Sequence, residues 1–332
     1  MTRNNTRPAV TLMEVLIAIF ILSIGMVSVM AFFPIGALNM IRSVRDQRCS
    51  QLATNSNTML HVWWKDCWLS KDGLIMPEEI ASRSEPTIEA LDTDPLTGLN
   101  ILRTDTGPSH PVMIDPLGVN SYGTSLGGFI TRTHLNNVFA TSASRRNQLR
   151  VCTLPDDIAF DKNGEPSNIS GQFDRGYRYS CAWMMQREHN SNPYDVRVYT
   201  LTFDNRPIDL PEGDQVFPSS SLTLNDPNSL TLSSLSNALP RTKKGGWIMV
   251  AYHVTYPLAN AGVNFKPSRW VVSFHRTIAQ EDALGGMGNL RMLTLEQPIQ
   301  TPVNVDNVQV VVFEKLVEVF DRGTMSVADR SW

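Results

Sequence analysis

The chain has 332 residues, a formal net charge of −3, 18% charged residues and 42% hydrophobic residues. Its length exceeds what one compact core needs and admits one large domain or two modest ones. The near-neutral balance excludes the global basic field that gathers nucleic acid, so no nucleic-acid partner is indicated. The information lies in how unevenly the hydrophobic residues are distributed.

Residues 15–41 read VLIAIFILSIGMVSVMAFFPIGALNMI, 27 residues without a charge. A helix of that length crosses a hydrocarbon core of roughly 30 Å. A cleaved secretory signal usually has an apolar region of only about 7–15 residues, and a buried core helix of this length normally shows a polar stripe. Arg3 and Arg7 precede the run with no acidic residue, which places the N-terminus in the cytoplasm and the rest outside it. Arg42, Arg45 and Arg48 beyond the run reduce that asymmetry.

One carboxylate, Glu14, stands at the mouth of the run. Thr11-x-x-Glu14 is a capping box, with Val10 and Val15 placed as the hydrophobic staple. Capping accounts for Thr11 and Glu14 but not for the short Arg-containing leader that ends in a small residue. The opening Arg7-Pro8-Ala9-Val10-Thr11-Leu12-Met13-Glu14-Val15-Leu16 resembles the start of type IV pilins and pseudopilins. Those prepilins carry a basic leader, a small residue at the cut, an apolar first mature residue and a glutamate at the fifth mature position. The run EVLIAIFILSIGM is especially similar to PilV-like minor pilins and I-type pseudopilins. The likeness covers about a tenth of the chain, with several features in register. Ala9 stands where Gly is usual, Val10 where Phe is usual, and Pro34 falls a few positions late.

The resemblance implies cleavage after Ala9 by prepilin peptidase, with Val10 as the methylated first residue and Glu14 as the assembly residue. It implies a subunit of the bacterial inner membrane, single-pass, that joins other pilins or pseudopilins in a type IV pilus or type II secretion pseudopilus. Glu14 would pair with the α-amino group of Val10, in its own subunit or a neighbour. A mature chain of 323 residues, once nine are removed, is large for a repeating subunit, so a minor position is expected. Glu14 argues against the very tip, since capping K-type pseudopilins typically lack that glutamate.

Apolar residues continue at Leu38, Ile41, Cys49, Leu52, Leu60, Trp63, Trp64 and Cys67, predicting one long helix over 10–68 that spans the membrane to about 41. Pro34 and Gly36 mark a kink or melted turn in it. Trp63, Trp64 and Trp68 are expected to pack against a globular domain at 69–332. Pro/Asp/Thr-rich stretches follow at Pro86–Pro116, and a Gly-containing segment at Tyr122–Phe129. Candidate strands are Gln148–Leu154, Gly176–Arg187, Asp195–Phe203, Gly246–Tyr256, Ser268–Ile278, Asn289–Glu296 and Val308–Asp321. Residues 217–240, rich in Ser, Leu and Asn, are expected as a loop excursion. The predicted fold class is α+β, a mainly antiparallel sheet covered by the second half of the helix.

Cys49 and Cys67 would lie about 27 Å apart on a continuous helix, beyond disulfide reach. Cys152 and Cys181, in neighbouring predicted strands, are the candidate disulfide, with buried free thiols the alternative. Asp156, Asp157, Asp161, Asn163 and Glu165 form an oxygen-rich cluster, and some pseudopilins hold calcium in such loops. The spacing is not that of an EF-hand, and Asp161-Lys162-Asn163-Gly164 reads as a hairpin turn, so calcium is the alternative and no cofactor the expectation. Arg145, Arg146 and Arg150, and Arg241, Lys243 and Lys244, read as solvated loop charges. Gly123-Thr124-Ser125-Leu126-Gly127 matches GxSxG without the strand and helix that a nucleophile elbow needs, and no HExxH, P-loop or GxGxxG is present. The chain is therefore read as no enzyme. A single-pass anchored binding module unrelated to pili is the alternative, and a single-pass enzyme or receptor a third reading.

Overall fold

A computed structural model describes residues 12–68, 109–117, 125–126, 129–133, 150–169, 172–187, 195–206, 214–218, 222–234, 242–255, 268–283, 289–299 and 305–326. The chain forms two compact units, Met1–Gln47 and Arg48–Trp332. Helix α1 (Leu12–Trp68) runs through the boundary. Of the kink or melted turn expected at Pro34 and Gly36, the melted turn is not formed, since residues 30–40 are helical throughout. Pro34 removes one backbone donor, while the hydrogen bonds on either side of it remain to carry the helix.

The larger unit is β-rich. Its strands are β1 (Val112–Ile114), β2 (Ser125–Leu126), β3 (Ile130–Thr133), β4 (Asn168–Ile169) and β5 (Gln172–Phe173). There follow β6 (Tyr179–Gln186), β7 (Val196–Asp204), β8 (Gln215–Phe217), β9 (Leu222–Asp226) and β10 (Ser229–Ser234). The last are β11 (Trp247–Thr255), β12 (Ser268–Ala283), β13 (Asn289–Leu295), β14 (Val305–Val312) and β15 (Leu316–Met325). One sheet has the order β15-β7-β6-β1-β3-β2, a second β8-β14-β11-β12-β13-β10-β9, and β4 pairs with β5 apart from both. Apart from a parallel β1–β3 pair, both large sheets are antiparallel. An apolar helix with antiparallel sheets agrees with the α+β expectation.

Period-two alternation distributes the side chains among three cores. Tyr179, Cys181, Trp183 and Met185 of β6 join Val112, Ile114, Val196 and Val198 on one side of the first sheet. Cys49, Leu52, Leu60 and Trp64 of α1 cover that side, one helical stripe that keeps all four within 1% exposure. Ala182 and Met184 of β6 point the other way, where Met113, Leu201 and Phe203 meet Met249, Ala251 and Val311 of the second sheet. The second sheet has its own inner core of Leu230, Leu232, Ile248, Val250, Leu293, Leu295, Val310 and Val312. β10 approaches β8 and β9 approaches β14, so the sheet curls until its opposite ends meet.

Three expectations change. Gln148–Leu154 is not a strand: Arg150 and Val151 are helical, and only Thr153 bridges to Ser180 before Pro155, which lacks a backbone donor. Val308–Asp321 is two strands in different sheets, β14 and β15, separated by a turn in which Lys315 takes φ 60°. Within the loop excursion expected at 217–240, the described residues 222–234 instead form the β9–β10 hairpin, with Leu230 and Leu232 fully buried. The turn is set by Asp226, whose carboxylate accepts the Asn228 N–H at 2.8 Å.

A buried ring of four charges ties the sheets together. Arg206 donates to Asp115 at 2.8 Å and to Asp214 at 2.9 Å. Arg132 donates to Asp214 at 2.5 Å, and its Nε lies 3.4 Å from Asp115. All four side chains are 2% exposed or less. Asp115 follows β1, Arg132 lies in β3 and Arg206 follows β7, whereas Asp214 leads into β8 of the other sheet. Asp214 also accepts the Glu314 N–H at 3.1 Å, holding the turn between β14 and β15. Removing one member strands a buried countercharge, at a cost of about 3–5 kcal/mol. Arg206→Ala should therefore lose stability in that range in urea unfolding of the full chain. Arg45→Ala, which breaks a pair with Asp46 between two exposed side chains, should lose under about 1 kcal/mol. Equal losses from the two substitutions would refute the structural role of the ring.

Candidate functional site

The described part of the first unit, Leu12–Gln47, is a helix whose surface is almost entirely apolar as far as Ile41. An 18-residue window within Leu12–Trp64 has a mean hydropathy of 2.7 with none of it buried, so α1 is long and apolar enough to cross a membrane. A signal sequence near an N-terminus has the same properties. Leu12, Phe20, Leu22, Val29, Phe33 and Met40 are each 67% exposed or more. The polar residues do not interrupt this surface, because the Ser23 and Ser28 hydroxyls donate to the Ile19 and Ile24 carbonyls, each at 2.8 Å. Transferring each large apolar side chain out of water is worth about 1.5–3 kcal/mol. A handful of them is comparable with the roughly 5–15 kcal/mol stability of a whole domain, which is the driving force this surface has for leaving water.

Glu14 lies in the first turn of α1. It heads a shallow groove of Val15, Ala18, Ile19 and Leu22, one helical face. A carboxylate there is favoured by the helix macrodipole, and beside an apolar surface it offers an anchor for a cation. Ala9 and Val10, expected at the processing point, lie outside the described residues.

The remaining candidate residues do not assemble into a site of the expected kind. Asp157 accepts the Arg178 and Tyr179 N–H groups at 2.6 and 3.4 Å. Asp161 caps its own turn, accepting the Asn163 and Glu165 N–H groups at 2.8 and 2.9 Å, and Gly164 closes it at φ +81°. Asp156 is bound by Arg48, whose hydrogen bond holds this carboxyl below the usual range. Asp157 and Asp161 thus turn these oxygens to backbone N–H groups, and no group of three His, Cys, Asp or Glu side chains that could hold a metal ion occurs among the described residues. Ser125 of the GxSxG match lies in β2, paired with Thr131, not at a strand-to-helix elbow. Cys152 and Cys181, the candidate disulfide, lie adjacent and buried as thiols, and Cys49 is buried as well.

Sequence reasoning missed a cleft of about 610 Å³ at one end of the inter-sheet core. Tyr199, Trp247 and Phe274 line it, with the Arg197–Asp321 ion pair at 2.7 Å in its wall. Its residues come from β7, β11, β12 and β15 and from Glu296–Pro298 after β13, segments whose partners no local motif announces.

No family model, curated protein or solved structure matches the chain.

The turn chemistry at Asp157 and Asp161 has a measurable consequence. A calcium site with an affinity near 10 μM would add about 2.7 kcal/mol at 1 mM calcium, a shift of several degrees. Adding 1 mM calcium and then excess chelator to the full chain should leave the unfolding midpoint unchanged within about 1 °C; a reversible rise beyond that would restore the calcium reading.

Proposed function

We propose that this chain is a minor pilin or pseudopilin, a non-catalytic subunit assembled through α1 after processing at Ala9 and Val10. The observation that carries the reading is a helix apolar on nearly all faces and headed by Glu14, continuous with the helix that packs on a β-rich unit. In the bilayer, lipid would cover the residues from Val15 to Ile41. In a filament, the same surface would be covered by the helices of neighbouring subunits, without any change in the β-rich unit.

The carboxylate gives that transfer its register. Cleavage after Ala9 would leave an α-amino group one helical turn from Glu14, and methylation would keep its charge. Moving this cation from the bilayer surface into packed helices costs several kcal/mol unless it meets an anion. Glu14 of the same or a neighbouring subunit supplies one.

A second reading, a single-pass anchored binding module outside any filament, is favoured by the cleft lined by Tyr199, Trp247 and Phe274. The two differ in what Glu14 does. Under the pilin reading, Glu14→Ala and Glu14→Gln both insert in the membrane, since the apolar run is untouched, and both lose co-purification with partner pilins about tenfold or more. Capping alone would make Glu14→Gln behave as wild type, since Gln serves in the capping box without the charge. Retention of partners by the Gln variant at matched expression would remove the charge-pairing role, and absence of any partner for the unmodified chain would favour the binding module.

A further inference from the structure

Two cysteines face each other where the chain enters the first sheet. The antiparallel bridge between Thr153 and Ser180 sets Cys152 directly opposite Cys181. The Cys181 N–H donates to the Cys152 carbonyl at 2.9 Å. Directly opposed residues of an antiparallel pair have Cα atoms roughly 4.5–5.5 Å apart, inside the roughly 4.4–6.8 Å that a disulfide spans. Both side chains belong to the cluster beneath α1, at 0% and 2% exposure, and the two thiols hydrogen-bond to each other.

We propose that Cys152 and Cys181 become a disulfide as the β-rich unit folds, stapling the segment that enters the sheet to strand β6. The inference rests on the reading of this unit as extracytoplasmic, where thiols can be oxidised. One cysteine thiolate attacks a donor disulfide, and the second cysteine displaces the donor from the mixed disulfide. The two thiols together lose two protons and two electrons, the S–S bond forms, and the donor disulfide is reduced to its dithiol.

The packing also fixes when this occurs. Burial, reinforced by the neighbouring Cys181, pushes the Cys152 thiol well above its ordinary range, so thiolate is scarce once Cys49, Leu52 and Trp64 have sealed the cluster. The bond therefore forms during folding, and the same burial then shields it from reductants. Cys49 shares the cluster and is the competing thiol. The loop closed from 152 to 181 contains Pro155 and the turns at Asp157 and Asp161, so the bond restrains in the unfolded chain a stretch that has few strand pairings in the folded one.

The test is disulfide mapping of the full-length chain. Membranes from producing cells are denatured in N-ethylmaleimide, digested and read by mass spectrometry; in parallel, reduced and denatured chain is refolded in detergent with a glutathione redox buffer. The expected result in both is a Cys152–Cys181 linkage with Cys49 alkylated, and reduction should lower the unfolding midpoint by roughly 5–10 °C. Free thiols after refolding, or a linkage through Cys49 or Cys67 instead, would overturn the inference. A linkage that forms on refolding yet is missing from the membranes keeps the site and overturns the extracytoplasmic reading beneath it.

Discussion

Strand β6 has no solvent-facing side, and the larger unit is organised around that constraint. Every residue from Tyr179 to Gln186 is buried, so each of its two faces needs its own apolar partner. One is met by the stripe Cys49, Leu52, Leu60 and Trp64 of α1, the other by Met249, Ala251 and Val311 of the second sheet. A helix–sheet–sheet stack follows from this one strand. The second sheet then has its own reverse face to cover, and it does so by curling on itself around Leu232, Val250, Leu293 and Val310.

Charge enters this interior under strict conditions. Two arginines and two aspartates can be buried between the sheets because each carboxylate lies against both guanidinium groups. A single pair would leave lone pairs or N–H groups unmatched, and in a medium of low dielectric such groups are costly. The ring also has an architectural effect: Asp214 and the Glu314 N–H secure the positions where the chain passes from one sheet toward the other. Arg206 additionally lies 4.2 Å from the Phe203 ring centroid, which lets a cation border an aromatic core.

Helix α1 meets two different surroundings along one continuous backbone. Near its start the side chains are exposed and apolar on nearly all sides; from Cys49 to Trp64 a single stripe is buried and the rest is mostly polar, with Met59 and Val62 the exposed apolar exceptions. The first pattern suits a solvent without water, and the second suits an amphipathic helix on a sheet. Serines bonded to their own helix and a proline accommodated within it keep the first part uniform. Such a helix can exchange a lipid environment for a protein one while the β-rich unit keeps its fold, which is the physical content of the assembly reading.

The amino-acid sequence by itself determined the features whose cause is local. The uncharged run from Val15 to Ile41, the long helix through Trp64, and strands β6, β7, β11 and β13 follow from run length and periodicity, which neighbouring residues alone establish. The buried stripe of α1 and the turn at Asp161 were legible for the same reason. Tertiary structure decided what depends on partners distant in the chain. Leu230 and Leu232 lie in a Ser-rich stretch that reads as loop, and become core only because β13 pairs with β10. The run from Val308 to Asp321 contains no Gly, Pro or Asn to announce a turn, yet Lys315 turns it so that β14 and β15 enter different sheets. Asp115, Arg132, Arg206 and Asp214 carry no motif; their ring exists because the fold brings four separated positions into one dry volume, where opposite charges solvate one another.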